Sequence, residues 1–254
     1  QQKMNAYVQS SIENHVGTIE FFHPQSNSLP GEQLREIAAA IQAFGKDSAV
    51  RVIVLKSAGD RAFCAGASFD ELITIKDKAT GLKFFTGFAE VINAMRKVPK
   101  FVLVRVQGKA VGGGVGIAAA GDYTLATEAA AIKLSELAVG IGPFVVGPAV
   151  ERKMGLSAFS QLTINATEFR SASWAASKGL YAEIFPDTNK MDQAIETLTR
   201  QLAQSSPQAM KEIKEIFWQG TEDWDSKLSE RAEISGTLVL SDFTKEAISR
   251  FKAK

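Results

Sequence analysis

Two short apolar runs, RVIVLKS (51–57) and FVLVRVQ (101–107), each lead into a glycine-containing loop and then into a helical pattern. Brief runs rich in β-branched residues and bounded by turn signals read as strands buried on both faces. Such strands alternating with helices imply right-handed crossovers and a mainly parallel α/β sheet. This repeated unit constrains the chain most, because ligands of parallel sheets sit beyond the carboxyl ends of the strands. The loops AGDRAFCAGAS (58–68) and GKAVGGGVG (108–116) are therefore expected to face one crevice.

The rest of the chain supports the same class. HVGTIEFF (15–22) alternates as a strand does, and NSLPGEQLREIAAAIQAF (27–44) carries a helical stripe at Leu34, Ile37, Ala38 and Ile41. Ser28 and Pro30 mark the start of that helix. GLKFFTGFAEVINAMRKV (81–98) predicts a second helix, with Phe84, Phe85, Phe88, Val91, Ile92 and Met95 on one side and Pro99 as its stop. DYTLAT (122–127) and AAIKL (130–134) read as further short strands. From about residue 147 helical patterns dominate. Three segments, 190–204, 207–218 and 224–240, read as a helical extension that needs a surface to cover, its own core or a neighbouring subunit.

Composition narrows the chemistry. Cys64 is the single cysteine and the histidines are His15 and His23, so neither a zinc cluster nor a Ser-His-Asp triad is expected. No P-loop and no G-x-S-x-G elbow is present. An enzyme built from this chain must rely on carboxylates and backbone groups, with no metal or redox cofactor expected. A net charge of +1 and the lack of a dense basic run argue against nucleic-acid binding. No window approaches ~18 uninterrupted apolar residues, so no membrane span is expected. The start, QQKMNAYVQ, lacks the features of a secretory signal, which makes a cytoplasmic location the expectation.

The cluster GGGVG (112–116) admits three readings. As a dinucleotide fingerprint it fits poorly, since G-x-G-x-x-G survives only as the alanine variant from Gly114 to Ala119. As a packing device, its glycines and the alanines Ala118–Ala120 let a helix approach a strand closely. As half of an oxyanion hole, it supplies one N–H at a helix start while the first loop supplies another.

The stretches FCAGASFDEL (63–72), GKAVGGGVGIAAAGDYTLAT (108–127) and KLSELAVGIGP (133–143), in that order and spacing, resemble the enoyl-CoA hydratase/isomerase (crotonase) superfamily. The resemblance extends over nearly the whole chain. It implies a crotonase-like fold of repeated ββα units with a spiral parallel-sheet core. Residues 1–190 would form the core with the acyl-CoA site, and 191–254 a C-terminal helical trimerisation region. It further implies an acyl-CoA thioester as substrate, with CoA present only as part of that substrate. The expected assembly is a homotrimer or a hexamer made of two trimers. Carried over residue by residue, the oxyanion hole is the N–H pair of Ala67 and Gly113. Cys64, Ala65, Gly66, Gly112 and Gly114 are the surrounding substrate-binding positions, and Glu136 is the catalytic carboxylate.

The sequence also departs from the family pattern. Hydratases of the family use two glutamates that share a water. The first would fall at Gly116, and the glutamine that helps orient it would fall at Leu134. Where the family often has a P-G-x-G-G turn, this chain has Pro143 followed by Phe144, Val145 and Val146. These bulky residues are expected either to reshape the acyl pocket or to pack at a subunit contact. Glu136 is flanked by Leu134, Leu137 and Ala138, an apolar setting that would raise its pKa. A lone glutamate over an oxyanion hole fits double-bond isomerisation better than addition of water. Hydration of a branched enoyl-CoA such as methylglutaconyl-CoA is the alternative, and a non-catalytic acyl-CoA binder the third possibility. Asp122 is expected to be structural, Asp70 and Glu71 caps or pocket edge. Lys252 and Lys254 are more plausibly solvated than aimed at a CoA phosphate.

Overall fold

The computed structural model describes residues 5–253. Its centre is a six-stranded sheet of order β1-β2-β3-β4-β6-β8, formed by β1 (Tyr7–Glu13), β2 (Val16–Phe22), β3 (Val52–Ser57), β4 (Val102–Val106), β6 (Tyr123–Thr127) and β8 (Glu183–Phe185). The pairs from β2 to β8 are parallel and only β1 runs against its neighbour. A second, two-stranded parallel sheet joins β5 (Ala110–Val111) to β7 (Ile132–Lys133). The expected mixed α/β class with a mainly parallel sheet is what the chain forms.

Side chains on the central strands alternate between two layers, as the period of a strand requires. Ile53 and Leu55 of β3 and Val102, Val104 and Val106 of β4 enter the main core beneath α1 (Gly31–Lys46) and α3 (Lys78–Lys97). Val52, Val54 and Leu103 point the other way and meet Met191 and Ile195 of α7 (Thr188–Ala203). The stripe Leu34, Ile37, Ala38 and Ile41 is buried as expected. The helix itself begins at Gly31 rather than 27, because Asn27 is used to brace the first loop. Glu71, from the four-residue α2 (Phe69–Leu72), caps α1 from outside by accepting the Gly31 N–H at 2.7 Å.

β1 has no counterpart in the sequence reading. It is an edge strand, mostly exposed, so it needs no apolar alternation to be held. Asn14 and His15, both at positive φ, turn it back into β2, as a I′-type hairpin requires.

The C-terminal helices are α8 (Pro207–Phe217), α9 (Trp224–Leu238) and α10 (Asp242–Lys252). The expected single segment 224–240 is thus α9 plus the start of a break. Ser241 then caps a new helix by accepting the Thr244 N–H. The expected division at 190/191 falls inside α7. Beyond it, Trp218, Trp224, Leu228 and Ala232 join the same apolar core as the central strands. Asp122 fastens this region to the sheet. Its Oδ2 accepts the Val102 N–H and the Lys214 ammonium, both at 2.7 Å, and its Oδ1 accepts the Trp218 Nε1–H at 2.9 Å. With both side chains of the ion pair buried, Asp122 is structural, as expected of it. Lys254 and the side chain of Lys252 lie outside the described residues. No helix among the described residues is long and apolar enough to cross a membrane.

Candidate active site

The remaining helices are α4 (Gly113–Ala120), α5 (Gly147–Ile164) and α6 (Ala172–Ser177); the start of α4 and a 3-10 turn at Glu136–Val139 help to line a cavity of about 100 Å³. The first glycine loop reaches it because the Asn27 amide donates to the Ala58 and Ala62 carbonyls. The Val111 N–H, donating to the Cys64 carbonyl at 2.9 Å, ties this loop to the second. Gly66 lies at φ +89°, and a Cβ there would stand 2.9 Å from the Val111 carbonyl oxygen and 3.5 Å from the Gly113 nitrogen. No other residue permits so close an approach in that conformation. At Gly113 a Cβ would lie inside the Phe88 ring, 2.1 Å from its nearest carbon. The packing reading of GGGVG therefore holds: these glycines are needed for close approach, and the start of a helix faces the cavity beside them.

Ala67 and Gly113 both line the cavity, and neither N–H donates to a backbone acceptor of the described chain. Gly113 is the first residue of α4, where N–H groups have no partner within the helix. Ala65, Gly66 and Gly112 line the same cavity. Cys64 and Gly114, expected beside them, do not. The Cys64 side chain is fully buried in the main core, and Gly114 backs onto it, so that a Cβ on Gly114 would lie 2.5 Å from the Cys64 carbonyl oxygen. Burial pushes the Cys64 thiol up to about 12.

Glu136 opens the 3-10 turn and is the one titratable side chain lining the cavity among the described residues. Its Oε1 is shut off from solvent and has no hydrogen-bond partner. That oxygen lies 3.0 Å from where a Cβ on Gly112 would be, which places it against the second glycine loop. Burial pushes the carboxyl up to about 7. The apolar setting expected around it is supplied by different residues. Leu137 is exposed, while Phe88, Val139, Ile141, Val145 and Val146 form the wall. Phe85 and Phe88 of α3 were legible as apolar positions, but nothing in their spacing marked them as pocket residues.

Phe144, Val145 and Val146 all line the cavity, the first of the two roles expected of them. Val146 does more. A Cβ on Gly116 would stand 2.4 Å from Val146 Cγ1 and 2.6 Å from its Cβ. The volume that a side chain at 116 would occupy is therefore filled by Val146, and Leu134 is buried nearby in the same core. Two of the positions at which the sequence departs from the expected pattern, 116 and 146, thus share one volume.

Known proteins resemble this chain over nearly its whole length. The family model described as "Enoyl-CoA hydratase/isomerase" matches residues 11–254. The "Probable enoyl-CoA hydratase" of Bacillus subtilis (strain 168) is 26% identical over 253 residues, covering 99% of this chain and 97% of that protein. The "Trans-2-decenoyl-[acyl-carrier-protein] isomerase" of Streptococcus mutans is 24% identical over 251 residues, covering 96% of this chain and 94% of the other. Among solved structures, enoyl-CoA hydratase from Bacillus halodurans superposes with a TM-score of 0.89 at 19% identity, covering 96% of this chain and 99% of that one.

Proposed function

The chain belongs to the enoyl-CoA hydratase/isomerase family of enzymes, and from that premise we propose that it moves the double bond of an enoyl-CoA thioester, using Glu136 alone as base and acid. The thioester carbonyl accepts the N–H groups of Ala67 and Gly113. Each such donor is worth about 3–4 kcal/mol once negative charge develops on the oxygen. Withdrawing charge in this way acidifies the carbon next to the carbonyl, and Glu136 takes a proton from it. The electron pair shifts into the conjugated system, the double bond comes to lie beside the carbonyl, and the protonated Glu136 returns the proton two carbons further out. Atoms and charge balance with no water consumed.

The observation that carries this reading is the single carboxylate. Glu136 is the only titratable group lining the cavity among the described residues, and Val146 occupies the space above Gly116 where a second acid would stand. A group titrating near neutrality suits a site that must both take and give a proton.

A panel of 2-enoyl- and 3-enoyl-CoA esters incubated in deuterated water, with products resolved by mass spectrometry, tests the proposal. The expected product has the connectivity of the shifted alkene without the elements of water, and carries deuterium on carbon only to the extent that the proton on Glu136 exchanges with solvent before it is returned. A product heavier by one water, formed at the same rate, would overturn isomerisation in favour of hydration. Tight binding with neither product would make the chain an acyl-CoA binder.

A further inference from the structure

One hydroxyl in the cavity has no part in the chemistry above. Ser235 lies in the last turn of α9, is 1% exposed, and lines the same cavity as Glu136. It reaches that position through a close helix crossing. Gly81 of α3 faces Gly236 of α9, and a Cβ on Gly81 would lie 2.9 Å from the Gly236 carbonyl oxygen and 3.0 Å from its Cα. Glycine inside a helix is unfavourable by about 1 kcal/mol relative to alanine. Here the two glycines bring the helix backbones together, and the residue beside the crossing is delivered to the pocket.

Serine and threonine in a helix ordinarily return their hydroxyl to a carbonyl one turn back. Ser226 of α9 does so to Asp223, and Thr86 of α3 does so to Leu82. The Ser235 hydroxyl makes no such bond and opens on the cavity instead. The cavity it lines is also walled by Phe85, Phe88, Phe144 and Val145, and among the described residues no lysine, arginine or histidine lines it.

We propose that Ser235 is a specificity-determining residue that hydrogen-bonds a neutral oxygen on the acyl group, so that the substrate class is a short acyl-CoA bearing a hydroxyl or keto oxygen. The inference rests on the reading of this cavity as a thioester site. The cavity, about 100 Å³, has room for a short acyl group beside Ser235. A plain hydrocarbon would strip water from the Ser235 hydroxyl and return nothing to it.

Calorimetric titration of the full chain with two isosteric pairs of saturated thioesters provides the test. One pair is 3-hydroxybutyryl-CoA against isovaleryl-CoA, and the other is 4-hydroxybutyryl-CoA against pentanoyl-CoA. In at least one pair the hydroxylated member is expected to bind about tenfold more tightly. Ser235→Ala, which removes one atom and favours the helix, is expected to abolish that preference while the methyl isostere keeps its affinity. Binding without preference in either pair overturns the inference and leaves the thioester site standing, as does a preference that survives Ser235→Ala. Failure of all four thioesters to bind overturns the thioester reading and this inference with it.

Discussion

Glu136→Gln is expected to lower kcat by about 10²- to 10⁴-fold and, at pH 8, to make the protein more stable. Both effects come from one property. The Glu136 carboxyl is pushed from its ordinary value of 4.5 up to about 7 because it is buried without a partner for Oε1. A carboxyl whose folded pKa lies above its unfolded one binds its proton more tightly when folded. Its contribution to stability is fully present below about 4.5 and declines as pH rises to about 7. The whole loss amounts to about 3 kcal/mol. Glutamine keeps the shape and never has to be ionised. The melting temperature of Glu136→Gln relative to wild type should therefore climb between pH 5 and pH 8, by about 6–12 °C for a chain of this size. Wild-type kcat/KM should rise with pH toward a plateau above about 7, since proton removal needs the carboxylate. Thermal melts across that pH range, with turnover of any active thioester, check both halves. Undiminished turnover in the glutamine variant would rule Glu136 out as the base.

The second large effect concerns Gly116. Installing the missing acid as Gly116→Glu alone should destabilise the protein rather than create a hydratase. The new Cβ would meet Val146 Cγ1 at 2.4 Å, in a helix whose inward face is wholly buried. Overpacking of this kind costs about 1–3 kcal/mol, and an unpaired carboxylate in the same place costs more. The paired variant Gly116→Glu with Val146→Gly clears that space. It should recover much of the lost stability in denaturant melts and form a product one water heavier than the enoyl-CoA supplied. If the single variant is as stable as wild type, Val146 yields easily and is no barrier. If the paired variant folds but adds no water, a second carboxylate is not what separates this site from a hydration site.

The two strands and two glycine loops were legible because each is a local signal, an apolar run followed by a turn. Glu136 was legible only through its spacing from those loops, since a glutamate among leucines and alanines is unremarkable alone. The exchange between Gly116 and Val146 was half legible. Both departures could be seen in the chain, but that one fills the other's volume is a contact between residues thirty positions apart. Ser235 carried no signal, because its place depends on where two helices cross. Leu137 misled for a related reason: on a single 3-10 turn, neighbouring apolar residues point in different directions, and this one faces solvent. β1 was missed because an edge strand is held by backbone hydrogen bonds to one partner, which polar residues make as well as apolar ones.

Cys64 has a practical consequence. It is the only sulfhydryl of the chain, it belongs to the first glycine loop with its side chain buried in the core beneath, and its thiol is held almost entirely in the unreactive protonated form. An alkylating reagent can reach it only when that loop lifts or the whole chain opens. The rate at which the native protein becomes labelled is thus a one-site clock for opening of the wall behind Ala67, and a ligand that docks there should slow it in proportion to its occupancy.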